Sequence, residues 1–544
     1  MTIQDRYNHW LTFDEETRAE LQAIADPKEI EDRFYRDLEF GTGGLRGVMG
    51  AGTNRMNAYT VRRATLGLAN DLKSRFACSC QVAIAYDSRN LSREFAAEAA
   101  SVLCAAGIQV ALFKTLMPTP VLSFAVQHLG CQAGICITAS HNPKEYNGYK
   151  VYDQTGCQIL PDDARRVIEQ VNAITEYQQI PVLALHRAAQ NGLLYWIGDD
   201  VLEVYLAEVR KQSIYKKPSD IQVVFTPLHG TGNIPVRAVL EPFHVSVVAS
   251  QAQPDGDFST VRSPNPEERD ALTLGIEQAL AEGADIVLGT DPDCDRVGVA
   301  VQHQGDFILL TGNQIGALLV DFVTRHRPVQ DGALLVKTIV TNELGATIGR
   351  SRGLAVEDTL TGFKYIGDRI NYYEKTGAKQ FVVGYEESFG YLVGTHARDK
   401  DAVVASLLIV EMAAWHKNQG HTLIDALNDL YLQYGFFLDA LDAFTLKGAD
   451  GAEKIQAIMA QLRTSGQSII PALQTVKDYA QGIDGLPAEN VLKFILADHS
   501  WIAVRPSGTE PKIKIYYSIQ DENKKEAQKR LDMYRALFRK FVEA

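Results

Sequence analysis

The sequence lacks the patterns that mark secreted proteins and zinc-binding domains. Its 544 residues contain only seven cysteines, an odd number without a Cys-x-x-Cys pair. This excludes a disulfide framework and a zinc-finger spacing. The chain starts Met1-Thr2-Ile3-Gln4-Asp5-Arg6, without the basic and then apolar layout of a signal peptide. We therefore expect reduced thiols and a cytoplasmic location.

Long hydrophobic runs and low-complexity segments are also missing. The most apolar stretch, residues 99–113, is interrupted by Gly107 and Gln109 and is shorter than the roughly 20 residues that a membrane-spanning helix needs. It is more typical of a helix end followed by a strand. No tract of one residue type or one charge predicts a disordered tail, so we expect most of the chain to fold and no membrane partner.

Basic residues are in deficit. The chain has 54 lysines and arginines against 67 aspartates and glutamates, which gives a net charge of -13. Such a balance argues against a nucleic-acid surface. Because the protein as a whole repels anions, a phosphorylated substrate would need a locally basic pocket. Individual Arg and Lys residues in predicted loops are therefore candidates for binding it. The expected partners are small molecules.

What is present is a repeated alternation of apolar runs and helical patterns, which predicts α/β structure with parallel strands. A chain of this length exceeds one hydrophobic core. We predict three similar α/β domains with mainly parallel mixed sheets and a C-terminal α+β domain, arranged around a central cleft. The predicted domains are 1–210, 211–316, 317–435 and 436–544.

The first chemically suggestive loop follows the apolar run 133–137. It reads Thr138-Ala139-Ser140-His141-Asn142-Pro143, and Lys150 comes soon after. Ligands of parallel sheets bind beyond the carboxyl ends of the strands. A serine that carries phosphate needs a nearby base and positive charge, which His141 and Lys150 offer. The alternative is a turn with a capping role. A serine hydrolase is disfavoured because there is no Gly-x-Ser-x-Gly.

The second loop places Asp291, Asp293 and Asp295 at alternate positions after the run 285–288. Three carboxylates this close repel one another unless a cation lies between them, and hard oxygen ligands suit Mg²⁺. An EF-hand is disfavoured because its glycine position holds Arg296. The alternative of a solvated acidic turn is weakened by the apolar strands predicted on both sides. The loop therefore favours a metal site.

Two further loops offer groups for a sugar and a phosphate. Gly384-Tyr385-Glu386-Glu387-Ser388-Phe389-Gly390 can accept hydrogen bonds from hydroxyl groups, with a helix-capping box as an equal alternative. The segment 505–512 combines Arg505, two hydroxyls, Gly508 and a lysine, a set that can hold a phosphate without reacting with it. Its alternative is a polar turn.

The glycine-rich segment Gly41-Thr42-Gly43-Gly44-Leu45-Arg46-Gly47 resembles a nucleotide-binding loop. It lacks the Gly-Lys-Ser/Thr of a P-loop, and the dinucleotide-binding pattern breaks at Arg46. We interpret it as a flexible turn that presents Arg46.

These loops, in this order, resemble the α-D-phosphohexomutase superfamily from Gly41 to Lys514. The resemblance implies a phosphorylated Ser140, which together with Asp291, Asp293 and Asp295 binds one Mg²⁺ per chain. It implies sugar-hydroxyl contacts from Glu386 and Ser388 and a substrate contact from Lys400. It implies electrostatic or acid/base helpers at Arg46, His141, Lys150 and Arg296. Further substrate contacts are implied at Thr361, Gly362, Arg505, Ser507, Gly508 and Thr509.

Within the superfamily, the Glu386-to-Gly390 loop with Arg398-Asp399-Lys400-Asp401 is more similar to phosphoglucomutases than to the other branches. The implied reaction interconverts glucose 1-phosphate and glucose 6-phosphate, with glucose 1,6-bisphosphate as intermediate and activator. The segment 146–150 instead resembles the branch that includes phosphopentomutases. Phosphopentomutase, glucose 1,6-bisphosphate synthase and a non-catalytic sugar-phosphate-binding protein are the alternatives.

Overall fold

The computed structural model describes residues 2–76, 80–446, 450–506 and 512–543. Three short helices open the chain: α1 (Ile3–Trp10), α2 (Glu15–Gln22) and α3 (Pro27–Phe34). Each begins after a residue whose side chain accepts a hydrogen bond from the first turn, namely Thr2, Asp14 and Asp26. No helix in the described part of the chain is long and apolar enough to cross a membrane.

The first domain is built on a six-stranded mixed sheet with the order β1-β5-β4-β2-β3-β6. Its elements are β1 (Gly44–Val48), α4 (Ala58–Arg75), β2 (Gln81–Tyr86), α5 (Ser92–Ala105), β3 (Gln109–Phe113), α6 (Thr119–His128), β4 (Ala133–Ile137), β5 (Tyr146–Asp153), α7 (Pro161–Asn172), α8 (Leu185–Gln190), β6 (Leu194–Ile197) and α9 (Asp199–Lys211). Strands β4, β2, β3 and β6 are parallel, while β5 runs antiparallel to both β4 and β1. Strand β4 is buried along its whole length, as expected for a parallel strand covered on both faces.

The second domain carries a five-stranded mixed sheet with the order β11-β10-β9-β7-β8. Its elements are β7 (Gln222–Thr226), α10 (Asn233–Val239), β8 (His244–Val247), α11 (Thr273–Glu282), β9 (Ile286–Thr290), β10 (Val297–His303) and β11 (Asp306–Leu309). Strand β9 is entirely buried and parallel to β7. Its carboxyl end therefore delivers the acidic loop to the same kind of sheet edge as β4 does in the first domain.

The third domain has a four-stranded sheet with the order β13-β12-β14-β15. Its elements are α12 (Gly312–His326), β12 (Ala333–Thr338), α13 (Leu344–Ser351), β13 (Ala355–Thr359), α14 (Phe363–Thr376), β14 (Gln380–Glu386), β15 (Gly390–Val393), α15 (Ala402–Lys417) and α16 (Leu423–Tyr434). Strands β13, β12 and β14 are parallel, and β15 folds back antiparallel to β14.

The fourth domain differs from the others because its five strands are all antiparallel, in the order β16-β20-β19-β18-β17. Its elements are β16 (Phe436–Thr445), α17 (Asp450–Ile469), β17 (Leu473–Asp478), β18 (Leu492–Leu496), β19 (Trp501–Pro506), β20 (Lys512–Asp521) and α18 (Lys524–Glu543). The predicted fold class, three α/β domains followed by an α+β domain, is confirmed.

Helix α15 joins the first three domains through one shared core. All residues from Ala402 to Ala414 are buried, so no side of this part of the helix faces solvent, and all of them except Ser406 and Glu411 are apolar. It packs against α9 of the first domain, α10, β9 and β10 of the second, and α12, α16 and β15 of the third. The fourth domain attaches where Ile339 and Leu360 of the third domain pack with Trp501 and Tyr516, and its Phe437 joins the shared core.

Two segments differ from their sequence-based interpretation. The glycine-rich segment is a turn only in its first half, where Gly41 and Gly44 bond to each other across the two residues between them. Arg46 does not lie on that turn, because Gly44–Val48 forms strand β1 and pairs with β5, with Arg46 opposite Gly148. The close approach of β5 requires glycine at position 44, where φ is +134° and a Cβ would lie 1.8 Å from the carbonyl oxygen of Tyr149. In the third domain, Glu386 ends strand β14 instead of lying in the loop.

The three N-terminal helices are held to the first domain by an aromatic cluster around Trp10. Its indole is 1% exposed. It stacks on Phe13 at 4.7 Å between ring centroids and makes edge contacts with Phe34, Tyr59 and Tyr177 at 5.9, 5.6 and 5.5 Å. Such pairs add to the free energy of simple area burial.

We therefore expect Trp10→Ala to destabilise the N-terminal region by about 3–5 kcal/mol, the range for buried aromatic residues cut back to alanine. The measurement is the urea midpoint of the first unfolding transition. Leu432→Ala is the control, because Leu432 is 78% exposed and should change stability by less than about 0.5 kcal/mol. Equal shifts for the two variants would contradict the prediction.

Candidate active site

The serine loop begins where β4 ends. Ser140 is 3% exposed and has a φ of +53°, a left-handed conformation that is uncommon outside glycine. The hydroxyl of Thr138 accepts a 2.8 Å hydrogen bond from the backbone N–H of Ser140. Ser140 Oγ donates to Asp291 Oδ2 at 2.8 Å and lies 3.2 Å from Nδ1 of His141. The predicted nucleophile and its predicted helper are therefore adjacent.

The acidic loop places three carboxylates against this serine. Asp291, Asp293 and Asp295 are each at most 1% exposed, and one oxygen of each lies within 4.8 Å of the others. Asp291 Oδ1 accepts hydrogen bonds from the backbone N–H groups of Asp295 and Arg296, at 3.1 and 3.0 Å. The loop backbone thus fixes Asp291, while the other two acids depend on side chains from elsewhere.

Two lysines from different domains neutralise these acids. Lys150 of β5 lies 2.6 Å from Asp293 Oδ2 and 3.2 Å from Asp295 Oδ2. Lys400, which precedes α15, lies 3.1 Å from the same oxygen of Asp295. The second domain supplies the negative charges, and the first and third domains supply the positive ones.

The surrounding charges and burial shift the pKa values of Asp291 and Asp295 in opposite directions. Burial and the charges of Asp293 and Asp295 hold the pKa of Asp291 well above its usual range. Burial also acts to raise the pKa of Asp295, but the charges of Lys150 and Lys400 outweigh it and lower the pKa. The pKa of Lys150 is raised because its carboxylate partners outweigh the effect of burial. Asp295 is thus an anion matched by two cations, while Asp291 shares its site with a hydroxyl.

The donor set fits a divalent metal ion. Asp293 Oδ1 and Asp295 Oδ1 are buried and accept no hydrogen bond from the described residues. A buried carboxylate oxygen normally has a hydrogen-bond partner or a metal. The cluster contains only oxygen donors, the chemistry of hard cations. Asp291, Asp293 and Asp295 could therefore hold a metal ion next to Ser140.

The predicted sugar loop brings Glu386 to Gly362. The backbone N–H of Gly362, at the start of α14, donates to Glu386 Oε1 at 2.8 Å. Burial raises the pKa of Glu386 to about 7, against the opposing charge of Lys400 and with help from Glu387. Ser388 lies half-buried two residues further on.

The neighbouring acid, Glu387, has a different role. Its Oε2 accepts hydrogen bonds from the hydroxyls of Thr338 and Thr341, both at 3.2 Å. Thr338 ends strand β12, and Thr341 lies just beyond it. Glu387 therefore joins two strand ends, and Glu386 is the acid that faces the residues of the predicted site.

Of the predicted phosphate loop, 505–512, the structure describes residues 505, 506 and 512. Arg505 Nε donates to Glu489 Oε1 at 2.9 Å, and the Thr361 hydroxyl lies 3.5 Å from the same oxygen. The fourth domain and the loop before α14 therefore meet at this carboxylate. Ser507, Gly508 and Thr509 lie outside the described residues.

The two predicted helper arginines contact the serine loop and the acidic loop, respectively. Arg46, on β1, donates to Asn142 Oδ1 of the serine loop at 3.1 Å. Arg296 pairs with Glu267, and its Nε lies 3.9 Å from Asp295 Oδ1. The structure brings both arginines to the predicted site, Arg46 from a strand instead of a turn.

Two residues that contact the site were not singled out from the sequence. Thr119, the first residue of α6, donates its hydroxyl to Asp293 Oδ2 at 2.8 Å and its backbone N–H to the Asp293 carbonyl at 2.9 Å. Glu489 holds Arg505. The position of Thr119 just beyond strand β3 was an available signal. No local pattern marks Glu489.

Binding of a divalent ion should stabilise the wild-type chain and leave Asp293→Asn unchanged, because the variant lacks one of the three carboxylates. A ligand at 100 times its Kd stabilises by about 2.7 kcal/mol. The measurement is the Tm with Mg²⁺, Mn²⁺ or Ca²⁺ added in turn. Asp270→Asn, a change at an exposed acid, is the control and should keep the wild-type response. A full response in Asp293→Asn would exclude the site.

The raised pKa of Glu386 predicts that the folded protein loses stability as the pH rises. Its pKa is about 7 in the folded protein, against an ordinary value of 4.5. Because the unfolded chain loses this proton first, the stability that the group contributes is complete below pH 4.5 and is lost as the pH rises to about 7. Glu386→Gln does not titrate, so its Tm advantage over the wild type should grow between pH 5 and pH 8.

The size of this effect is at most a few kcal/mol. Thermal unfolding of the ligand-free wild type and of Glu386→Gln at both pH values measures it. Glu16→Gln makes the same change on an exposed surface and controls for the loss of a carboxylate. A Tm difference that stays constant or shrinks with rising pH would contradict the assignment.

Four profiles of one family match the chain in order: "Phosphoglucomutase/phosphomannomutase, alpha/beta/alpha domain I" at residues 37–178, domain II at 203–305, domain III at 311–434 and the C-terminal domain at 449–533. Helices α1 to α3 precede the first match.

Curated relatives match over nearly the whole chain. The phosphoglucomutase of Staphylococcus epidermidis is 37% identical over 530 residues, covering 94% of this chain and 96% of the relative. That of Staphylococcus aureus (strain USA300) is 38% identical over 517 residues, covering 91% and 92%.

Solved structures share the fold. Paramecium pp63/parafusin, a phosphoglucomutase in its open form, aligns with a TM-score of 0.71 at 19% identity and covers 94% of this chain and 95% of its own. A phosphoglucomutase/phosphomannomutase family protein of Burkholderia thailandensis aligns with a TM-score of 0.69 at 18% identity and covers 92% and 97%. The resemblance predicted from the loops is confirmed, and the chain belongs to the phosphoglucomutase/phosphomannomutase family.

Proposed function

We propose that this protein is an isomerase that interconverts α-D-glucose 1-phosphate and glucose 6-phosphate by moving a phosphoryl group through Ser140. The observation that carries the proposal is the 2.8 Å hydrogen bond from the buried Ser140 hydroxyl to Asp291. It puts a nucleophile at a carboxylate cluster that fits a metal and is lined by lysines. The relatives at 37% and 38% identity are named phosphoglucomutases.

The reaction has two phosphoryl transfers. In the first, the bond between phosphorus and the oxygen of phospho-Ser140 breaks as phosphorus bonds to O6 of glucose 1-phosphate. The O6 hydroxyl gives its proton to a base, and the released serine oxygen takes up a proton. The product, glucose 1,6-bisphosphate, then turns over in the site. In the second transfer the bond from O1 to phosphorus breaks as phosphorus bonds to Ser140 Oγ, the serine hydroxyl loses its proton, O1 takes up a proton and glucose 6-phosphate leaves. The same transfer from free glucose 1,6-bisphosphate phosphorylates a Ser140 that has lost its phosphate, so the bisphosphate also acts as an activator.

Asp291, Asp293 and Asp295, with the phosphorylated Ser140, would hold one Mg²⁺ per chain. The all-oxygen donor set and the two carboxylate oxygens that accept no hydrogen bond from the described residues support this choice. When bound, the ion withdraws charge from the serine oxygen and the phosphoryl group.

Basic groups around the serine handle charge and protons. His141, with Nδ1 at 3.2 Å from Ser140 Oγ, and Lys150 are both candidates for proton transfer. Arg46 reaches the serine loop through Asn142 and adds positive charge beside the transferred group.

The sugar and its second phosphate are assigned to the other loops. Glu386, Ser388 and Lys400 bind the sugar hydroxyls, and Arg505, with Ser507, Gly508 and Thr509, holds the phosphate that is not transferred. The remaining substrate contacts are Arg296, Thr361 and Gly362. The proximity of Glu386 to Gly362 and of Arg505 to Thr361 supports this division. One phosphate site then serves both orientations of the bisphosphate.

The domain boundaries and the location belong to the same proposal. Residues 1–210 carry the serine loop, 211–316 the metal loop, 317–435 the sugar loop and 436–544 the phosphate loop. The partners are small sugar phosphates, and the enzyme works in the cytoplasm.

Ser140→Ala should abolish turnover of glucose 1-phosphate in an assay coupled to glucose 6-phosphate formation, with Mg²⁺ and catalytic glucose 1,6-bisphosphate, because no residue then carries the phosphoryl group. Mass spectrometry should find phosphoserine at position 140 in the wild type only. Ser88→Ala is the matched control, because the buried Ser88 hydroxyl has no hydrogen-bond partner among the described residues and its loss should be nearly neutral.

Ribose 1-phosphate, tested in parallel for ribose 5-phosphate formation, separates a hexose from a pentose substrate. A higher kcat/KM for ribose 1-phosphate would identify a pentose phosphate as the substrate and would leave the proposed phosphoryl transfer unchanged. Net release of inorganic phosphate would indicate a phosphatase. Wild-type protein without turnover on either sugar would reject the mutase and favour a binding role.

A further inference from the structure

The side chain of Arg89 binds the backbone of the serine loop. This arginine follows β2 and is only 3% exposed. One terminal nitrogen donates to the carbonyls of Pro143 and Tyr146, at 2.9 and 3.1 Å, and the other donates to the carbonyls of Ser140 and Asn142. A single guanidinium therefore holds four carbonyls of one short loop.

The guanidinium is itself held in place. Its Nε lies 3.3 Å from Oδ2 of Asp87, and both side chains are completely buried. Asp87 in turn accepts hydrogen bonds from the backbone N–H of Arg89 and the hydroxyl of Ser92. On the other side, the ring of Phe258 from the second domain packs 5.0 Å from the guanidinium carbon. Arg89 thus ties the serine loop to both the first and the second domain.

The loop needs such support for a physical reason. The left-handed conformation of Ser140 costs on the order of 1–3 kcal/mol for a residue other than glycine and persists only where the surroundings impose it. A trans peptide points its C=O and N–H in opposite directions. By binding the Ser140 carbonyl, Arg89 also turns the N–H of His141 away from the guanidinium and so sets the orientation of the whole turn.

We propose that Arg89 is a positioning residue of the phosphoryl transfer, because its four carbonyl hydrogen bonds hold Ser140 against Asp291. The inference rests on the proposed function of Ser140. Among the described residues, Arg89 makes no hydrogen bond or ion pair with Ser140 Oγ or with the side chain of a predicted substrate contact. Its effect on the reaction therefore acts through the backbone.

Lysine cannot replace this arginine. Arginine presents five N–H donors in a rigid planar fork, whereas lysine carries its three donors on one nitrogen. Arg89→Lys keeps the charge but cannot reach two separate pairs of carbonyls. A displacement of about 1 Å at the nucleophile can lower the rate about 100-fold. We expect kcat to fall by that factor in Arg89→Lys, with KM changed less than threefold.

Arg63 provides a matched control. It is also buried, donates to the carbonyls of Val171 and Ile174 at 3.2 and 3.0 Å, and packs over the ring of Tyr177 at 5.2 Å. It has no contact with the serine loop in the described residues. Arg63→Lys should lose stability to a similar degree but keep the wild-type kcat per folded molecule.

Two readouts separate positioning from general stability. Guanidinium ion at millimolar concentration should restore at least tenfold of the lost kcat in Arg89→Ala, because it can rebuild the carbonyl contacts without the side chain. Hydrogen exchange followed by mass spectrometry should show faster exchange in the peptide covering residues 138–147 of Arg89→Lys, and wild-type exchange there in Arg63→Lys.

Wild-type turnover combined with a wild-type kcat in Arg89→Lys would overturn this inference and leave the proposed function standing. An equal loss of kcat in Arg63→Lys would overturn it as well, since the effect would then be general. If Arg89→Ala does not fold, the comparison of the two lysine variants still decides the matter. Lack of turnover in the wild type would instead reject the proposed function itself.

Discussion

The arrangement of the whole molecule depends on the balance of charge around three buried carboxylates. Asp291, Asp293 and Asp295 lie on one loop of the second domain, where their burial without partners would cost several kcal/mol per ion. The compensating lysines, Lys150 and Lys400, come from the first and third domains. The site therefore exists only when three domains are assembled, and the same assembly brings Ser140 to Asp291.

Much of this architecture could be predicted from the sequence because it depends on local patterns. Continuous apolar runs marked the buried parallel strands β4 and β9, and the geometry of parallel sheets puts the next residues at a common kind of edge. Ser140 and the three aspartates lay in those loops, so residue type and position pointed to the same site. The α+β class of the fourth domain was predictable from its change of pattern.

The features that escaped prediction depend on partners distant in sequence. Arg89 reaches carbonyls more than fifty residues away, and Thr119 meets Asp293 in another domain. Their positions just beyond parallel strands were a signal, but the local sequence does not show which distant residues they contact. Gly44 suggested a flexible turn because glycine is permissive, whereas here it admits the close approach of a neighbouring strand. The same residue type permits opposite outcomes, and only the tertiary neighbour decides between them.

Helix α15 limits which domains of such a chain can be exchanged between relatives. Since residues Ala402 to Ala414 are buried against elements of three domains at once, those domains must change their packing surfaces together. Exchange of a single α/β domain between relatives would mismatch a helix that has no solvent-facing side. The fourth domain has its own core and attaches through a smaller patch that includes Ile339 and Trp501, so it is the natural unit of exchange. Each domain thus has its own sheet, but the first three domains share one core and the fourth has a core of its own.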